Sequence, residues 1–157
     1  MAGQLLFDIS SLDLKGVQVS REEVGRMNPQ CGDMRQLDYV IWTSPNCAEA
    51  LGVKHIRPDE FWVPGHVPGR PLFPGVLMIE AGAQLCSIQY KCKTKSLAFL
   101  GFTRCDNVAF RGQVVPGDTL YLLGKEVDFA ARRFVSDVQG IVNGKLVFEA
   151  RITGMVM

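Results

Sequence analysis

The longest run of uninterrupted hydrophobic character lies between Gly75 and Tyr90, where Glu80 is the only charged residue. Val76, Leu77, Met78 and Ile79 are consecutive, so helical spacing leaves no polar face. A helix that is apolar all round is a buried helix. Pro74 suits the first turn, because the amide it lacks has no partner there in any case. Ala81, Gly82 and Ala83 are small and allow close approach of a neighbouring sheet. The pattern predicts a central helix that begins near Pro74 and Gly75, with Glu80 about a turn and a half in.

Shorter elements flank it. Ser20 and Glu23 form a capping-box pattern that predicts a short helix to Met27, ended by Asn28 and Pro29. Strands are expected at Gln36 to Thr43 and Val53 to Arg57, then a loop from Pro58 to Pro74. After the helix, Lys91, Lys93 and Lys95 mark a polar exit, and Leu97 to Phe102 reads as a strand. Pro116, Gly117 and Asp118 signal a turn between it and strands at Thr119 to Val127 and Arg133 to Val142. Asn143-Gly144 is a hairpin signal. In the strand after it, Leu146, Phe148, Ala150 and Ile152 share one face, with Lys145, Glu149, Arg151 and Thr153 on the other beside Val147. One long apolar helix with five or six strands, mostly after it, is an α+β domain, most simply an antiparallel sheet wrapped around the helix. Such a sheet keeps open edges and an outer face, which a second copy would cover, so a homodimer is expected. Residues 20–157 form one domain; residues 1–19 are an N-terminal extension readable either as an arm or as an extra strand.

The balance of charge adds exclusions. The chain has 157 residues and a net charge of +1, without the basic excess of a nucleic-acid binder. No apolar stretch is long enough to span a membrane and no signal-peptide pattern opens the chain, so a cytoplasmic protein is expected. The five cysteines, Cys31, Cys47, Cys86, Cys92 and Cys105, show no paired spacing and read as small, inert side chains. With two histidines, a metal site is not expected, nor is a cofactor.

His66 lies in a run stiffened by Pro and Gly, and Glu80 is a lone acid in an apolar segment, a costly placement unless it is used. The run His66-x-Pro68-Gly69-x-Pro71-x-x-Pro74-Gly75-Val76-Leu77-x-x-Glu80-Ala81-x-x-Gln84 resembles the signature of the (3R)-hydroxyacyl-[acyl-carrier-protein] dehydratases, which have the hotdog fold. The likeness extends to Asn28–Asp38, to Asp59–Trp62 before the histidine, to Asp106–Arg111, and to the turns at Pro116 and Asn143. Val67 stands where that family usually has Phe, Gln30 where it has His, and Phe73 where Met or Leu is common. The resemblance places Val67 and Phe73 beside the substrate channel with Gly75 and Val76, and leaves acyl-chain length open. It implies that His66 of one subunit works with Glu80 of another, in a homodimer or a trimer of dimers, on an acyl thioester of acyl carrier protein or coenzyme A. Glu rather than Asp at position 80 favours simple dehydration over dehydration with isomerisation.

Dehydration needs a base for the C2 proton, an acid for the departing 3-hydroxyl, and a donor for the thioester oxygen. A histidine, with an ordinary pKa of ~6.5, suits the first role. Glu80 suits the second if apolar surroundings favour its protonated form. The Gly75 amide at the helix start suits the third. Each residue also has a plainer reading. A histidine in a Pro/Gly turn is usually a surface residue, and a glutamate in an apolar helix can be the pivot of a hydrogen-bond network. His55 reads as structural or exposed. Lys91, Lys93, Lys95, Arg104 and Arg111 are either a landing patch for an acidic carrier or, more commonly, a solvated basic face. Trp42, Trp62, Phe99 and Phe102 are expected in the core. A thioester hydrolase of the same fold and a non-catalytic acyl-binding subunit are the competing functions.

Overall fold

The computed structural model describes residues 3–157. Helix α1 (Arg21–Met27) is followed by a 3-10 turn at Gly32–Met34, then β1 (Tyr39–Thr43), β2 (Glu49–His55), α2 (Gly75–Thr94), β3 (Leu100–Phe110), β4 (Thr119–Ala130), β5 (Arg133–Val142) and β6 (Lys145–Val156). The strands form one antiparallel sheet in the order β1-β2-β4-β5-β6-β3. It curls around α2, whose Met78, Ala81, Leu85 and Ile88 are buried against Leu122, Val138, Phe148 and Ile152. This is the α+β arrangement expected from the apolar run.

Local signals account for several boundaries. Ser20 and Glu23 close a full capping box on α1, and the helix ends at Asn28. Pro74 caps α2 with extended backbone, and Lys95 ends it in a left-handed conformation. β6 carries one bulge. Gly140 faces Phe148 and Ile141 faces Leu146, so Val147 is the extra residue, and its carbonyl accepts the amides of Arg111 and Gly112.

Other boundaries differ from expectation. β2 starts at Glu49 rather than Val53, running straight through Gly52. A Cβ at Gly52 would lie 2.8 Å from Leu37 and 3.0 Å from Leu85, so this glycine marks tight helix–sheet contact rather than a strand end. β3 begins at Leu100, not Leu97, and continues to Phe110 through polar residues; as an edge strand with two register shifts it has no steady alternation. Trp62 is buried and Trp42 half-buried, but Phe99 and Phe102 are exposed, against the core placement expected for all four.

Residues 3–19 run as an arm across the outer face of the sheet. Leu6, Phe7 and Leu12 cover Ile41, Leu51, Leu123 and Ile141. Gln139 holds the arm from both ends of its amide, accepting from the Leu6 amide (2.9 Å) and donating to the Gln4 carbonyl (3.0 Å). At its end the arm meets β1 through an isolated bridge, Val19 to Val40, and through Gln18, whose side-chain oxygen accepts the Thr43 amide (3.0 Å).

The cysteines are not uniformly inert thiols. Cys47, in the β1–β2 turn, and Cys92, in the last turns of α2, are joined as a disulfide with their Cα atoms 6.2 Å apart. Cys31 is exposed, and Cys86 is buried with its thiol pushed up to about 12 by burial. At pH 8 such a thiol is ionised to about one part in ten thousand. Alkylation of the native protein followed by peptide mapping is therefore expected to label Cys31 first, Cys86 only after unfolding, and Cys47 and Cys92 only after reduction. Labelling of Cys86 as fast as Cys31 would contradict this packing.

Candidate active site

Residues 56–74 link β2 to α2 without regular secondary structure, yet they are tied down along their length. The Ile56 amide donates to the Asp118 carbonyl and the Phe73 amide to the Val114 carbonyl (2.8 Å). The Trp62 carbonyl accepts the amides of Gly65 and His66. Val67 and Arg70 close a turn in which Gly69 takes φ +78°, a conformation that favours glycine. The His66 ring is exposed, and its Nδ1 lies 2.8 Å from the Leu72 carbonyl oxygen. A carbonyl can only accept, so Nδ1 carries the proton and Nε2 is the basic nitrogen of the neutral ring.

His66 stands at the start of α2. The Leu77 and Met78 amides turn back to the Pro74 carbonyl. Among the described residues, the Gly75 and Val76 amides have no protein acceptor. They are therefore free donors at the positive end of a twenty-residue helix. A Cβ at Gly75 would come 2.7 Å from the Phe110 ring, so only glycine lets that ring lie against the helix start. Two apolar cavities flank the imidazole. One, of about 410 Å³, is lined by Phe61, Trp62, His66, Val76 and Leu77. The other, of about 320 Å³, is lined by His66, Phe73, Gly75, Val76 and Phe110. Val76 is 70 % exposed. Val67 is not among the residues lining either space.

Glu80 lies elsewhere. It is half-buried and lines a slot of about 50 Å³ with Gln30, Ser87, Leu100, Phe102 and Phe134. Within one chain the structure does not bring His66 and Glu80 into a shared cavity. Glu80 instead bonds to Gln84, a residue 1 % exposed. Gln84 Oε1 accepts the amides of Gln36 (2.9 Å) and Leu37 (3.0 Å), which fixes the orientation of its amide group. Its Nε2 then donates to the Met34 carbonyl (2.8 Å) and to Glu80 Oε1 (2.9 Å). Glu80 Oε1 is thereby committed as an acceptor, and any proton on this carboxyl sits on Oε2. The motif contained Gln84, but its wiring to residues 34–37 is a contact between distant parts of the chain that no spacing rule reveals. Gln30 Oε1 is buried without a hydrogen-bond partner.

Four of the five basic residues of the expected patch have partners within the chain, and Lys95 is exposed. Lys91 is buried and donates to the Met27 carbonyl, Lys93 pairs with Glu126, Arg104 with Asp106 and Arg111 with Glu149. His55 is exposed and lies beside Tyr39 and Thr119, away from these cavities.

A family model for the FabA-like domain matches residues 28–151, which include His66 and Glu80. The chain belongs to the FabA-like family. This FabA-like chain is 34 % identical over 147 residues to the 3-hydroxyacyl-[acyl-carrier-protein] dehydratase FabZ of Clostridium acetobutylicum, covering 90 % of this chain and 100 % of that one. It is also 34 % identical over 110 residues to the FabZ of Syntrophomonas wolfei, covering 69 % and 76 % of the two chains. Among solved structures, a chain of the dehydratase heterocomplex ApeI:P from Xenorhabdus doucetiae superposes with a TM-score of 0.73 at 16 % identity, covering 85 % of this chain and 90 % of that one. Zebra fish thioesterase superfamily member 2 superposes with a TM-score of 0.65 at 10 % identity, covering 87 % and 95 %. These likenesses establish the hotdog fold. Among the described residues no helix is long and apolar enough to cross a membrane.

Replacing Gln84 with Leu strands the Gln36 and Leu37 amides and the Met34 carbonyl. Urea unfolding is expected to show a loss of about 2–4 kcal/mol, with Glu80 freed from its fixed rotamer. An unchanged midpoint would contradict the network.

Proposed function

We infer that this chain dehydrates (3R)-3-hydroxyacyl thioesters to trans-2-enoyl thioesters in fatty-acid synthesis, with the acyl group held on acyl carrier protein as in the names of its curated relatives. The reading includes a homodimer, a cytoplasmic location, and a site that takes His66 from one copy and Glu80 from the other. One observation carries it: a basic imidazole nitrogen and a free helix-start amide share one cavity, while the acid that completes the set lines another, on an incompletely covered strip of the same helix.

The chemistry follows from these atoms. His66 Nε2 removes a C2 proton, and the C–H electron pair moves toward the thioester carbonyl, whose oxygen gains negative charge opposite the Gly75 amide. As the C2–C3 double bond forms, the C3–O bond breaks. Glu80 Oε2 supplies the proton that lets the hydroxyl leave as water. The Leu72 carbonyl holds the imidazole in the required tautomer and stabilises the imidazolium that results. Carboxyl and imidazolium then exchange a proton with solvent to restore the resting state. The walls Phe61, Trp62, Phe73 and Val76 give the acyl chain an apolar path.

Hydration of a trans-2-enoyl thioester, run in reverse and followed by loss of the conjugated absorbance, tests the reading. Reversible hydration is expected, with His66→Ala and Glu80→Gln each lowering kcat by about 10²–10⁴-fold in folded protein. Release of free thiol instead would make the chain a hydrolase, and absence of either signal would make it an acyl-binding subunit.

A further inference from the structure

Lys54, one residue before the end of β2, has no exposed side-chain surface, and its ammonium pairs with Glu60, whose side chain is 8 % exposed. The second oxygen of Glu60 accepts the Arg57 amide (2.9 Å), and its carbonyl accepts the Val63 amide (3.1 Å). Two routes lead from this pair to the imidazole. Through the chain, Glu60 sets the turn whose Trp62 carbonyl accepts the His66 amide (2.9 Å). Through packing, the ammonium lies 5.6 Å from the centroid of the Phe73 ring, which meets the Trp62 ring at 5.5 Å. Phe73 follows Leu72, the residue whose carbonyl accepts the hydrogen bond from His66 Nδ1. The ion pair therefore underlies both the backbone and the ring contact of His66.

Net stability does not account for a charge pair at this depth. Desolvation offsets most of the attraction, and well-packed apolar replacements are often neutral or better. Such a pair does supply direction. It joins a rigid strand to one point in a loop that has no helix or strand of its own. We propose that Lys54 and Glu60 are positioning residues that hold the His66 loop so that Nε2 meets the substrate carbon. The proposal rests on His66 being the base, and the test separates the two ideas.

Four full-length variants are compared for hydration of a short trans-2-enoyl thioester and for thermal unfolding: His66→Ala, Glu60→Gln, Lys54→Met, and the double variant K54M/E60Q. Each single variant of the pair strands a buried charge and lowers the melting temperature. The double variant removes both charges and regains folding. If the pair positions His66, the folded double variant loses about tenfold or more in kcat, because misplacement by about an ångström suffices for such losses, while KM stays within about twofold. Nitrogen NMR of the imidazole then shows a mixture of Nδ1-H and Nε2-H tautomers where the wild type shows Nδ1-H. A folded double variant with wild-type kcat and tautomer, alongside an inactive His66→Ala, overturns the positioning role and leaves the base intact. An active His66→Ala overturns both.

Discussion

A helix without a polar face has to be covered on every side, and one curled sheet covers most of α2 but not all of it. Sixteen residues with a single charge make up most of this helix, and the sheet's inner face packs against Met78, Ala81, Leu85 and Ile88. What remains is a strip containing Val76, Ile79, Glu80, Ala83 and Ser87, which share one side of the helical wheel and are all incompletely buried. The adjoining β3 is an edge strand whose Phe102, Val108 and Phe110 are exposed. Apolar surface and an unpaired strand edge side by side are a demand for a partner, and a second copy of the same chain can meet both at once.

The placement of the chemical groups follows from the same constraint. The start of α2 must be open for its amides to act, and the loop before it brings His66 there. The acid sits a turn and a half further along, on the uncovered strip, held by Gln84 to the segment that packs over the helix from α1. Each chain thus presents an imidazole beside free helix-start amides at one place and a carboxyl at another. Under the proposed function these are two halves of one site, which pairing of two copies would bring together.

Sequence reading succeeded where the deciding interaction is local. The capping box of α1, the Pro74 start of α2 and the Asn143-Gly144 hairpin each depend on residues a few positions apart, and the elements around them match. It failed where distant contacts decide. The strand expected from Val53 in fact begins at Glu49 and includes Gly52, which packs closely on Leu37 and Leu85. β3 has no readable period because an edge strand has solvent on more than one side. Cys47 and Cys92 meet across 45 residues, and spacing alone did not name the partners of Lys91, Lys93, Arg104 and Arg111. The catalytic candidates are readable as a constellation, but the tautomer of His66, the oxygen of Glu80 that accepts from Gln84 and the pairing of Lys54 with the loop all depend on hydrogen bonds that only the folded chain reveals.

A site that draws on two chains can be tested directly by subunit mixing. His66→Ala and Glu80→Gln proteins, each inactive alone, are unfolded together, refolded and assayed for hydration. In a mixed dimer one of the two sites receives an intact histidine and an intact glutamate, so random pairing should restore about a quarter of the wild-type rate. If both groups act within one chain, every site in the mixture lacks one of them. Mixed dimers that form yet remain inactive would contradict the account.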